Sequence, residues 1–148
     1  MTLNDVIRNL NEDLANERTH MAFYVYHASF LSGPHALEYR ELFEQSAASE
    51  MKHVLAFQDR ILGLGGDVDI GGDLFPITPD VLRALELAIA LEEKVVSVYT
   101  KRIEELDGLT AHPTIRAYLK VFYEAQLQDS YEDCERFRRL RLRASHIA

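Results

Sequence analysis

The chain has 148 residues, 47% of them hydrophobic, and a formal charge of −8. That length suits one packed core, and the negative balance speaks against a nucleic acid or an anionic membrane as partner while favouring cations. Cys134 is the one cysteine, which excludes an internal disulfide and a thiolate zinc site; no stretch is long and apolar enough to span a membrane, and the first residues lack the apolar run of a secretory leader, so the expected compartment is the cytoplasm.

Four long stretches repeat apolar residues at helical spacing, and none alternates as a strand does. The first helix is expected over about 3–32. Its inward stripe reads Leu3, Ile7, Leu10, Leu14, Glu17, Met21, Tyr24, Ala28 and Leu31, so an acid, Glu17, stands in an apolar row. Ser32-Gly33-Pro34 then breaks the pattern, since Gly suits a C-terminal cap and Pro the first turn of a new helix. The second helix, about 34–63, carries Tyr39, Phe43, Ser46, Glu50, His53, Phe57 and Ile61 on its stripe and stops at Gly63, Gly65 and Gly66. Residues 65–78 are rich in Gly and Asp and show no periodicity.

Thr78-Pro79-Asp80 signals the start of the third helix, about 79–107, whose stripe is Leu82, Leu85, Ile89, Glu92, Val96, Tyr99, Ile103 and Leu106. Of the neighbours Glu92 and Glu93, Glu92 takes the inward place, because helical steps from Glu93 land on Glu86, Ala90, Ser97 and Thr100. After Gly108 the fourth helix runs over about 113–143, with Ile115, Leu119, Phe122, Gln126, Asp129, Asp133, Phe137 or Arg136, and Leu140 facing inward. It closes on Arg136, Arg138, Arg139, Arg141 and Arg143, cations favourable at a helix C-terminus. They read as a solvated face or a subunit contact rather than a nucleic-acid tail.

The connections set the topology. A helix of about 28 residues is about 42 Å long, and a loop of about 14 residues reaches at most about 50 Å. The segment between helices two and three can therefore cross the length of a bundle, whereas the short turns after helices one and three demand antiparallel neighbours. The expected fold is all-α: residues 1–148 as one four-helix up-down-down-up bundle with a long crossover between helices two and three.

Six polar positions then converge on one axis: Glu17, Glu50, His53, Glu92, Gln126 and Asp129. Glu17 lies about as far from the start of its helix as Glu50 from the end of its own, so an antiparallel hairpin brings them level. Glu50 and His53, three residues apart, share a helix face, and a carboxylate beside an imidazole is a ligand pair for a first-row metal. Buried carboxylates are costly unless paired or metal-bound. Two readings follow: a pair of divalent cations, or a proton-sharing polar cluster without metal.

The run Glu50-Met51-Lys52-His53, with Glu17 followed by Tyr24 and Glu92 followed by Tyr99, resembles the ferritin-like superfamily, and bacterioferritin most closely. The resemblance covers nearly the whole chain. In that family a Glu from each of two helices and Glu-x-x-His from each of the other two hold two irons. It implies metal ligands at Glu17, Glu50, His53 and Glu92, and a redox role for Tyr24 beside a di-iron centre. It also implies haem bound by Met51 across a two-fold contact, although Met is as well a filler of ordinary helix interfaces. The fourth helix departs from the pattern, offering Gln126-x-x-Asp129 where the family has Glu-x-x-His. A neutral Gln cannot bridge two irons as a carboxylate does. Glu17-x-x-His20 is a further unexpected pair, in which His20 is either a substitute nitrogen ligand or a packed side chain. Residues after Arg143 are too few for the short fifth helix of shell-forming ferritins, so the implied assembly is a homodimer or a larger homo-oligomer.

The leading functional expectation is a bacterioferritin-like di-metal protein that binds iron and oxidises Fe(II) with dioxygen or peroxide, slowed by the altered fourth helix. The alternatives are a di-metal enzyme activating oxygen toward an organic substrate, and a binding or structural module whose metal site has degenerated.

Overall fold

The computed structural model describes residues 1–147, so the last residue of the expected 1–148 bundle lies outside the described residues. Four helices form: α1 Leu3–Phe30, α2 Ala36–Gly63, α3 Val81–Glu105 and α4 Pro113–Ile147, with a single 3-10 turn at Leu106–Gly108. Among the described residues there is no strand, and no helix is long and apolar enough to cross a membrane.

Local chemistry sets each boundary. Thr2 and Asp5 close a capping box on α1: the Asp5 N–H donates to Thr2 Oγ1 at 3.2 Å and the Thr2 N–H to Asp5 Oδ2 at 2.8 Å. α2 begins at Ala36 rather than Pro34, because Gly33 (φ +91°) and His35 (φ +65°) both adopt left-handed backbone to reverse the chain. α3 begins at Val81 rather than Pro79. Asp80 is its N-cap, accepting the Arg83 N–H at 2.8 Å, and the Pro79 carbonyl is taken outside the helix by the Ser32 N–H at 2.9 Å. α4 continues past Arg143, where Ala144, Ser145 and His146 include no helix breaker.

The crossover from α2 to α3 lies along α1 for most of its length. Gly66 packs against Ile7. Asn11 donates to the Asp67 carbonyl and accepts from the Asp69 N–H, each at 2.9 Å. Arg18 reaches the carbonyls of Asp69 and Gly71. Thr19 Oγ1 accepts from the Asp73 N–H at 2.8 Å, and His27 Nε2 from the Thr78 N–H at 3.3 Å. The crossover thus returns the chain to the end at which α1 finished, making α1 and α4 run one way and α2 and α3 the other. It also buries a second face of α1, including Asn11, Thr19 and His27, that a single inward stripe does not anticipate.

The interior divides into two apolar clusters. One gathers Leu10, Leu14, Phe57, Ile61, Val95, Tyr99, Leu119, Phe122 and Tyr123; the other gathers Phe23, Tyr24, Phe43, Leu85, Ala88, Cys134 and Phe137. Each helix passes from one cluster to the other through polar residues: Glu17 and His20 on α1, Ser46, Glu50 and His53 on α2, Glu92 on α3, Gln126 and Ser130 on α4, all buried. A polar layer therefore crosses the middle of the bundle.

Two of the arginines ending α4 lie on the surface against α3. Arg138 pairs with Glu93 at 2.8 Å and Arg141 with Glu86 at 3.4 Å. Exposed pairs of this kind add at most about 1 kcal/mol each.

Candidate metal centre

Glu17 and Glu50 meet as the antiparallel hairpin requires, and His53 stands between them. His53 Nδ1 lies 3.3 Å from Glu50 Oε2 and 3.4 Å from Glu17 Oε2. One donor atom from each of Glu17, Glu50 and His53 falls within 4.8 Å of the others. A second triad satisfying the same limit joins His20, Glu50 and Glu92. Glu50 belongs to both. All five side chains are buried.

Two tyrosines serve the outer carboxylates. Tyr24 on α1 donates to Glu92 Oε1 on α3 at 2.8 Å, and Tyr99 on α3 donates to Glu17 Oε1 on α1. Burial raises both phenols well above their ordinary range, and the neighbouring carboxylates add to the rise. Both therefore remain protonated donors. The opposite oxygens, Glu17 Oε2 and Glu92 Oε2, have no hydrogen-bond partner, nor have His20 Nδ1, Gln126 Oε1 and Ser46 Oγ. The contact of Glu17 Oε2 with His53 Nδ1 is ionic, its geometry falling outside a hydrogen bond.

With protons as the only cations, charge divides unevenly. Burial opposes ionisation of Glu17, yet the Glu50 carboxyl and the His53 ring hold its carboxyl down at about 2. Burial and the Glu17 charge push Glu50 well above the usual carboxylate range. Burial alone would lower His53, but Glu17 and Glu50 raise it to about 11. Glu17 and His53 thus form a buried ion pair beside a protonated Glu50.

The fourth helix differs from its expected orientation. Its buried row is Leu119, Phe122, Tyr123, Gln126, Ser130, Cys134 and Phe137, and the two four-residue steps from Gln126 to Ser130 and Cys134 leave Asp129 on the rim. The Asp129 side chain is 56% exposed, and its Oδ2 reaches inward only to His53 Nε2, at 3.2 Å. The expectation that Asp129 points into the core is corrected accordingly. Gln126 is buried, as expected. Asp129 lines a cavity of about 300 Å³ with Ser49, Lys52, His53, Glu132 and Asp133, which opens the polar layer to solvent. Burial and the nearby Glu92 raise Asp133 there to about 6. Met51 faces away from the layer and is 55% exposed.

His20, expected as either a nitrogen ligand or a packed side chain, stands three residues after Glu17 and is buried, with Nδ1 3.8 Å from Glu92 Oε1. One group escaped the sequence reading. Asp13 lies one turn before Glu17, fully buried, accepting from Arg102 Nε at 3.1 Å and Tyr123 OH at 2.5 Å. Its charge had no visible partner until α3 and α4 were placed beside it.

Among curated proteins, none matches the chain by sequence. Solved structures do match. A ferritin-like, diiron-carboxylate protein from Bacillus anthracis str. Ames is 28% identical, covers 95% of this chain and 99% of its own, and superposes with a TM-score of 0.85. BfrA from M. tuberculosis is 23% identical over 90% of this chain and 81% of its own, at 0.79. A Rhodobacter capsulatus bacterioferritin, described with a metal-free dinuclear site and heme iron, is 21% identical over 93% and 88%, at 0.67. The latter two likenesses speak to the fold. A family model of the ferritin-like domain matches residues 7–134. The chain belongs to the ferritin-like domain family.

Proposed function

We propose that this protein binds iron in the polar layer and oxidises Fe(II) with dioxygen or peroxide. The observation that carries the reading is the cluster of Glu17, Glu50, His53 and Glu92 buried together in the middle of the bundle, their donor atoms within reach of common ions and one Glu92 oxygen left without a partner. An unsatisfied buried polar group costs about 1–3 kcal/mol and a charged one more, and a divalent cation removes that cost. Carboxylates with imidazole suit iron or manganese. The residues present therefore fit a metal pair held by Glu17, Glu50, His53 and Glu92, with Gln126 and Asp129 as the contributions of α4.

Fe(II) is the substrate: each ion gives up one electron, and dioxygen or peroxide accepts them. The protein's part is to bind, orient and hold protons. Tyr24 and Tyr99 fix the outer carboxylates and keep their phenolic protons. The opening beside Asp129, Glu132 and Asp133 presents acids to an approaching cation. Tyr24 would lend an electron as its phenolic proton passes to the Glu92 carboxylate that it already meets.

Self-association, a cytoplasmic location and haem at Met51 belong to the same proposal. Exposed Met51, Leu55 and Leu62 follow one side of α2, a surface suited to a second copy of the chain. The test is anaerobic loading with Fe(II), metal counting per chain, then admission of air or peroxide while ferric absorbance and oxygen uptake are followed. Uptake of iron followed by oxidation above the rate in buffer is expected. Failure to retain iron would leave a structural module; a Soret band would establish haem.

A further inference from the structure

The altered fourth helix raises the question of where a second metal would find its nitrogen ligand. The buried histidines among the described residues are His20, His27 and His53. His53 is committed to Glu17 and Glu50 on one ring nitrogen and to Asp129 on the other. His27 has both nitrogens engaged, Nδ1 with the Phe23 carbonyl at 2.8 Å and Nε2 with the Thr78 N–H at 3.3 Å. His20 alone keeps a buried ring nitrogen without a partner, and that atom, Nδ1, lies 3.8 Å from Glu92 Oε1. Glu92 Oε2 and Gln126 Oε1 are likewise unpartnered.

We infer that the second metal position takes its nitrogen ligand from α1 rather than from α4: His20 supplies the imidazole, Glu92 the terminal carboxylate and Glu50 the carboxylate shared with the first metal. This rests on the metal-binding reading proposed above. His20, Glu50 and Glu92 each offer a donor atom within 4.8 Å of the others, as Glu17, Glu50 and His53 do for the first position. An i, i+3 spacing puts Glu17 and His20 about one turn apart on one face, so a single helix supplies one ligand to each metal. Gln126 adds a neutral carbonyl oxygen. Formal charge also works: two dications carry +4 against −3 from Glu17, Glu50 and Glu92, and Asp129 on the rim makes −4. An imidazole from α1 thus takes over the role that the fourth-helix His plays in the family pattern, which frees Asp129 to lie at the mouth.

The test is anaerobic titration of the full chain with Co(II), read by calorimetry and by the visible ligand-field bands of the ion, with Fe(II) as a parallel. The wild type is expected to bind two equivalents. His20→Leu and His20→Gln should each retain the first and weaken the second at least about 100-fold, with loss of the bands belonging to the second ion; the Gln variant serves if the Leu variant does not fold. His27→Leu, which removes a buried histidine outside the polar layer, should keep both. One equivalent in the wild type, two in both His20 variants, or loss of the second equivalent in His27→Leu as well would each overturn the assignment while leaving metal binding intact. No binding by the wild type would overturn both the assignment and the reading on which it rests.

Discussion

Tyr24 donates to Glu92 across the bundle at 2.8 Å, and seven residues relate Glu17 to Tyr24 on α1 just as seven relate Glu92 to Tyr99 on α3. Each helix therefore gives one carboxylate and receives one phenol. Removing a phenol leaves a buried carboxylate oxygen unsatisfied. Tyr24→Phe is expected to lower the stability of chelator-treated protein by about 1–3 kcal/mol, measured by urea denaturation. An unchanged midpoint would show that Glu92 needs no donor there.

Glu17 and Glu50 make opposite predictions despite being neighbours. Burial and the Glu17 charge push Glu50 well above the usual carboxylate range, toward the neutral acid that Gln imitates in shape and hydrogen bonding. Glu50→Gln should leave stability in chelator within about 1 kcal/mol of wild type while weakening metal binding at least about 100-fold. Glu17, held at about 2, is ionised and pairs with His53. Glu17→Gln removes one carboxylate from His53, leaving Glu50 and the rim Asp129 to pair with it, and should cost about 1–3 kcal/mol in the same chelated protein. Equal losses for the two variants would contradict the uneven division of charge.

His27 couples the crossover to acidity. Burial lowers its pKa below the ordinary 6.5. Its ring contacts are aromatic (Phe23, Tyr26, Phe43 and Phe75), with no carboxylate among them to favour a charge. The unfolded chain therefore binds the proton more readily than the folded one. The stability that neutral His27 contributes is fully present above 6.5 and drains away as pH falls below it, at up to about 1.4 kcal/mol per pH unit. Protonated Nε2 can no longer accept the Thr78 N–H. The protection of the Thr78 amide, taken against its intrinsic exchange rate at each pH, is expected to fall between pH 7.5 and 5, and His27→Leu should abolish that pH dependence.

Gly66 allows the crossover to leave α2 against α1. A Cβ there would stand 2.7 Å from Ile7 Cγ2 and 3.2 Å from Ile61 Cγ2. Gly66→Ala should cost about 1–3 kcal/mol through overpacking. Gly63→Ala, where an added Cβ meets nothing within 4 Å, is the control and should change the melting temperature little.

Helices α1 to α3 and their inward acids were legible because apolar periodicity runs unbroken through Glu17, Glu50 and Glu92, so the polar exceptions stand out against it. On α4 the same reasoning stepped from Gln126 to Asp129, whereas the helix turns Ser130 and Cys134 inward. A three-residue and a four-residue step are equally allowed there, and the polar residues on both rows gave no hydrophobic contrast to decide between them. The second buried face of α1 was not legible either. It exists because a loop without periodicity lies over it, and Asn11, Thr19 and His27 look like surface residues until that loop is placed. Asp13 and Arg102 are hidden for a related reason: they are 89 residues apart, and only the arrangement of α1 against α3 brings them together.

The polar layer between the two apolar clusters also fixes how far each helix is inserted. Sliding any one helix by a turn, about 5.4 Å, would carry Glu17, Glu50 or Glu92 into hydrocarbon surroundings and put an aliphatic side chain among the remaining acids. Hydrophobic packing by itself tolerates such slippage, since one greasy contact resembles another. The ring of acids and imidazoles makes the alternatives expensive, so the same buried cluster tells four long rods where to stop.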